Sequence, residues 1–271
     1  MKLMSLTARY LEQCNAILAR VEAQQETIGR AARWFADSII TGRVVHVFGS
    51  GHSRIMVEEM WPRYGSYPGF NPIVELSLTF HNLVVGANGQ RQAMFLENVE
   101  GLAERILRNF GLSEKDTALV ISSSGCNVVP IEVAEQFQRR KIKVVALVTR
   151  EHMEKTTSKR RDGKKLSDFA DLLLDTGAPA GDAMIQVPGL DTPVSPGSTV
   201  GGAIIVNCIK AETARLLTEA GLPPKVLTSA ALVGSDRATA LFESAYDEHA
   251  HRLATIYAGA GVMKDQTLPD T

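Results

Sequence analysis

Two short segments carry side chains suited to gripping an oxyanion: Gly49-Ser50-Gly51-His52-Ser53 and Ser122-Ser123-Ser124-Gly125-Cys126-Asn127. Both combine glycine, which lets backbone N–H groups approach a ligand closely, with hydroxyl or amide donors. Neither contains a basic residue, and Arg54 lies just beyond the first. Binding must therefore come from hydrogen bonds and oriented backbone, and a phosphate ester is the natural guest. His52 sits inside the first segment and can donate a hydrogen bond to a ligand or carry a proton. Glu58 and Glu59 follow on the next helix, where one of them can face the same ligand. Moving a proton on a bound ligand needs a carboxylate or imidazole within reach. Glu59 and His52 are thus the expected catalytic groups.

Both segments stand at the same kind of junction. Residues 44–48 and 117–121 are short apolar, β-branched runs, and helical periodicity follows each segment. Residues 144–148 and 172–175 read as further strands, residues 72–76 as another, and residues 95–110, 128–140, 199–220 and 236–257 as helices. Continuous apolar strands separated by helices predict an α/β fold: a doubly wound parallel sheet in three layers, flavodoxin-like in kind. In such sheets ligands bind beyond the strands' carboxyl ends, where helix N-termini favour an anion. The first forty residues are amphipathic helix with a break at residues 24–27, stopped by Thr41-Gly42. They predict a helical extension, residues 1–42, that covers its apolar face by self-association into a dimer or tetramer. Residues 43–262 form the binding domain, and residues 263–271 are too polar to fold alone.

With 29 basic and 30 acidic residues, the net charge of −1 gives no global field for nucleic acid or an anionic membrane. The 45% hydrophobic content suffices for a full core. No apolar run approaches the length of a membrane span, and Met1–Gln13 is no signal peptide. Cys14, Cys126 and Cys208 are sparse and lack metal or redox spacing, which points to the cytoplasm. No histidine pair has metal spacing, so neither metal nor other cofactor is expected. Cys126 reads as a small packing residue and His81 as a local hydrogen-bonding group. His249 and His251 read as surface residues, and the basic stretch 155–165 as a solvated loop.

The run Asp116-Thr117-Ala118-Leu119-Val120-Ile121-Ser122-Ser123-Ser124-Gly125-Cys126-Asn127, followed by a helix and Val144-Val145-Ala146-Leu147-Val148-Thr149, resembles the core signature of SIS (sugar isomerase) domains. Leu166-Ser167-Asp168-Phe169-Ala170-Asp171 resembles the segment that comes next there, and Glu58-Glu59 on the first helix resembles phosphoheptose isomerase-like SIS proteins. The resemblance implies that Ser122, Ser124 and Asn127 bind phosphate or sugar. It makes Ser50, Gly51 and Ser53 the opposite wall, and Ser198 and Thr199 the completion of the site. It implies an enzyme for aldose–ketose isomerisation or amino-sugar phosphate deamination; a non-catalytic sugar-phosphate sensor is the alternative. A Rossmann dinucleotide site is disfavoured, since Arg54 stands where the third glycine of that fingerprint belongs.

Overall fold

The computed structural model describes residues 5–79 and 89–259. Helices α1 (Leu6–Glu22) and α2 (Gln25–Ile40) lead into strand β1 (Val45–Gly49), a 3-10 turn at Gly51–Ser53 and α3 (Arg54–Met60). Then come β2 (Phe70–Ile73), α4 (Gly89–Leu96), α5 (Leu102–Leu107), β3 (Thr117–Ile121), α6 (Val128–Arg139), β4 (Lys143–Val148) and α7 (Arg150–Lys155). The chain continues through β5 (Leu172–Asp175), α8 (Ser198–Glu219), α9 (Ala230–Val233) and α10 (Ser235–Gly259). His81 and the tail from residue 263 lie outside the described residues.

All five strands are parallel, in the order β2-β1-β3-β4-β5. The pleat sorts the side chains of β3 between two cores. Leu119 and Ile121 join α1, α2, α3 and α8 on one face, while Ala118 and Val120 join α5 and α6 on the other. The sheet is therefore covered on both sides, as its unbroken apolar strands require. Among the described residues no helix is long and apolar enough to cross a membrane.

Three expectations change. The expected strand at residues 72–76 is shifted to Phe70–Ile73, with Pro72 accommodated because β2 is the edge strand. The single helix expected at 95–110 is two, α4 and α5, parted at Gly101. The N-terminal helices are present, with their break at 23–24, but α2 does not stand outside the core. Ala31, Ala32, Phe35, Ala36 and Ile39 are buried in the same cluster as the sheet and α8. Its apolar stripe is thus covered from within the chain.

The closing of the first core also settles α10. His249, expected at the surface, is half-buried with its ring 5.2 Å from that of Trp61, and burial pushes its pKa down. His251 is exposed.

Candidate functional site

The sheet order creates one crevice by itself. From β1 the chain crosses one way to β2, then returns past β1 to β3, β4 and β5. Loops after β1 and β3 therefore leave in opposite directions, and a gap opens between them beyond the strand ends. Both glycine-hydroxyl segments sit there. A cavity of about 540 Å³ fills the gap. It is lined by Ser50, Gly51, His52 and Ser53 from the first loop, and by Ser122, Ser123, Ser124 and Asn127 from the second. Ser198 and Thr199 of α8 also reach it.

The second loop is held in shape from beneath. Gly125 takes a φ of +58°, open to glycine at little cost, and its N–H reaches the Ser122 carbonyl at 3.2 Å. Ser124 Oγ accepts the Cys126 N–H at 3.3 Å, and Ser123 donates to Thr149 at 3.1 Å. The basic stretch expected to be a solvated loop braces this turn. Leu166 N–H donates to the Gly125 carbonyl at 2.8 Å and Lys159 N–H to that of Cys126 at 2.9 Å. Arg160 bridges Glu135 and Asp162, each at 2.9 Å, and lies over the Phe169 ring. Cys126 is buried, its thiol pushed up by burial and donating to the Thr156 carbonyl at 3.4 Å, so it packs rather than reacts.

The loop ends at the N-terminus of α6, a helix of 12 residues whose first-turn N–H groups and dipole favour an anion. Asn127 is the N-cap residue, yet its side chain does not cap. Its amide Nδ2–H instead donates to Glu97 Oε2 at 2.7 Å. The N-terminus of α8 is different. Asp182 accepts from Gly197 N–H at 2.9 Å and from Ser198 N–H at 2.7 Å, and takes the Ser198 hydroxyl at 2.5 Å. That helix end already holds a carboxylate, so Ser198 lines the cavity with its donors engaged.

Glu59 is the main correction. It does not line this cavity but a neighbouring groove with Ile55, Arg63, Tyr64 and Phe242. One carboxylate oxygen accepts from Asn207 at 2.7 Å, and the other pairs with Arg63. Burial raises its pKa, but the bonds from Asn207 and Arg63 outweigh burial and hold the carboxyl below the usual range. That is opposite to the upward shift wanted of a base poised near neutrality. The physical cause is the helix turn: α3 is only seven residues long, and the side of it carrying Glu59 faces α8.

Three ionisable groups that line the cavity escaped the sequence reading: Glu97 at the end of α4, His152 on α7, and Asp182. His152 stands just past the carboxyl end of β4, so the strand-end rule itself would have flagged it. Gly181 N–H donates to its Nδ1 at 2.8 Å, leaving the proton of the neutral ring on Nε2. Glu97 left no such signal, because its contact with Asn127 joins positions 30 residues apart. Among the described residues, no group of three or more His, Cys, Asp or Glu side chains is arranged to hold a metal ion.

The SIS domain family model matches residues 9–149. The UPF0309 protein of Halalkalibacterium halodurans is 32% identical over 235 residues, covering 85% of this chain and 95% of its own length. That of Thermoanaerobacter pseudethanolicus is 32% identical over 232 residues, covering 84% of this chain and 92% of its own. Among solved structures, a phosphoheptose isomerase from Francisella tularensis is similar over 79% of this chain and 99% of that one, at 15% identity and a TM-score of 0.49. With the family model spanning half the chain and these relatives most of it, the chain belongs to the SIS-domain family and to the UPF0309 proteins.

Proposed function

We infer that this chain binds a phosphorylated sugar in the cavity between the β1 and β3 loops and interconverts its aldose and ketose forms. The observation that carries the reading is the meeting of two glycine-hydroxyl loops at the switch point, one of them opening α6. The phosphate docks on Ser122, Ser124 and the backbone of the loop that opens α6, where the helix dipole favours it. The sugar then extends across the strand ends toward Ser50, Gly51, Ser53 and the imidazole of His52, with Thr199 beside it. A volume of about 540 Å³ lies in the range of small-molecule sites. Membership of the SIS family supports the same ligand class.

The reading is tested by thermal stabilisation with hexose, amino-sugar, pentose and heptose phosphates beside the free sugars. Phosphate esters should raise the melting temperature by mass action, and free sugars should not. Incubation with the best stabiliser then reads aldose–ketose conversion by NMR. Tight binding with no conversion of any ester would make the protein a sensor. Ser124→Ala should weaken phosphate-ester binding by about 1–2 kcal/mol, the typical loss of a charge-assisted hydrogen bond. Unchanged calorimetric titration would remove Ser124 from the phosphate site.

Self-association belongs to the same reading. The outward face of α1 leaves Leu11 and Leu18 exposed at 58% and 50%, seven residues apart on one side of the helix. A second copy covering that face should be expelled by Leu11→Glu together with Leu18→Glu. Light scattering should then report a smaller particle than for the parent protein, and an unchanged mass would exclude this face.

A further inference from the structure

We propose that Glu97, oriented by Asn127, is the base that carries the proton between C1 and C2 of the bound sugar phosphate. The inference rests on the isomerase reading above and names the residue that performs it. Glu97 is the last-turn neighbour of α4, and its carboxylate borders the cavity beside the second loop. Asn127 Nδ2–H holds one of its oxygens at 2.7 Å, and the backbone is fixed as well, since Val129 N–H donates to the Glu97 carbonyl at 2.9 Å. A residue held at its backbone and at one carboxylate oxygen presents that carboxylate to the cavity in one orientation. Such pre-positioning is what proton abstraction from carbon requires.

Asn127 has a choice of partners here. An N-cap asparagine ordinarily turns its side-chain oxygen back to its own helix. This one does not cap, and its amide is given to Glu97. No Asn side chain closes off the start of the helix, where the Val129 N–H is taken by the Glu97 carbonyl, and the same residue steers the base. The other carboxylate of the cavity, Asp182, already accepts three hydrogen bonds at the start of α8. Glu59 is tied to Asn207 and Arg63 outside the cavity.

The step balances within the substrate. Glu97 takes the C2 proton of the open-chain aldose. The C2–H electron pair becomes the C1=C2 bond, and the carbonyl π pair moves onto O1. The hydroxyl proton then passes from O2 to O1, which are adjacent in the cis-enediolate, leaving the charge on O2. As the C2=O2 bond forms, C1 takes the proton back from the Glu97 carboxyl, giving the ketose. No outside oxidant or reductant takes part.

The test follows proton exchange at carbon in D2O by NMR, using the sugar phosphate that best stabilises the parent protein. Glu97→Gln should bind that ester as the parent does yet lose carbon-proton exchange about a hundredfold or more. In Glu97→Ala, added formate should restore part of the exchange, which a merely structural residue would not show. Asn127→Ala should lower kcat and leave KM nearly unchanged; a raised KM at constant kcat would instead make Asn127 a direct ligand and overturn its positioning role. Full exchange in Glu97→Gln, or loss in Glu59→Gln with retention in Glu97→Gln, overturns the assignment while leaving isomerisation standing. If the parent protein exchanges no carbon proton with any of the esters, the isomerase reading fails and this assignment with it.

Discussion

Gly201→Ala should cost about 3 kcal/mol of folding stability, the upper end of what an overpacked core position loses. Gly201 lies in the first turn of α8, pressed onto the end of β5. A Cβ there would stand 1.8 Å from the Thr176 carbonyl oxygen and 2.8 Å from its carbon. Those are backbone atoms, so no rotamer change relieves the clash, and the helix and strand must part. Its neighbour supplies the control. A Cβ at Gly202 meets only the flexible Met56 side chain, at 3.1 Å. There the gain in helix propensity of about 1 kcal/mol opposes the crowding, and Gly202→Ala should be close to neutral. Urea melts of both variants check this, and equal midpoints would show that α8 does not bear on β5. Because Ser198, Thr199 and Thr176 all line the cavity, Gly201→Ala should also weaken ligand binding.

Asp116→Ala should cost about 3–5 kcal/mol, the usual penalty for stranding the partners of a buried ion pair. Asp116 begins the segment leading into β3, at the sheet end opposite the cavity. Its carboxylate accepts two bonds from Arg43, both at 2.8 Å, one from Ser113 N–H at 2.7 Å and one from His46 Nε2 at 3.2 Å. Asn71 donates to the other nitrogen of His46 at 3.0 Å, so one network ties β1, β2 and β3 together. Burial raises the Asp116 pKa, yet the bonds from His46 and Arg43 outweigh it and hold the carboxyl below the usual range. A carboxyl depressed in the folded state binds its proton more readily when unfolded. Its stabilisation is therefore present above the ordinary aspartate range, near pH 4, and is lost as pH falls through the folded value. Melts of the parent protein should fall steeply through that acid window, and those of Asp116→Asn should fall less. Equal acid slopes would assign the loss to other carboxylates.

The parallel sheet, the two loops and most helices were legible because each leaves a local trace. Unbroken β-branched apolar runs such as Val144-Val145-Ala146-Leu147-Val148 suit strands covered on both faces, and residues 172–175 form β5 as read. Gly-Ser punctuation after a strand likewise marks a loop at a strand end, and Ser50, Gly51, Ser53, Ser122, Ser124, Asn127, Ser198 and Thr199 do meet in one cavity. His52 meets them as well. What was misread concerns which side of an element faces which neighbour. Glu59 had the right residue type and the right helix, but a rotation about a seven-residue helix separates the cavity from the groove where it lies.

The amino-acid order by itself determined the layering, the strand-loop-helix units and the two glycine-hydroxyl loops at the strand ends, since these depend on periodicity and short-range backbone geometry. Only the tertiary structure decided that α2 is buried under the sheet, that the basic stretch braces the second loop, and that Glu97 rather than Glu59 borders the cavity. Each of those is a contact between segments distant along the chain: Phe35 with Phe70, Lys159 with Cys126, Asn127 with Glu97. Such pairings are set by how whole elements pack, where burial of apolar area selects the arrangement and no local spacing records it.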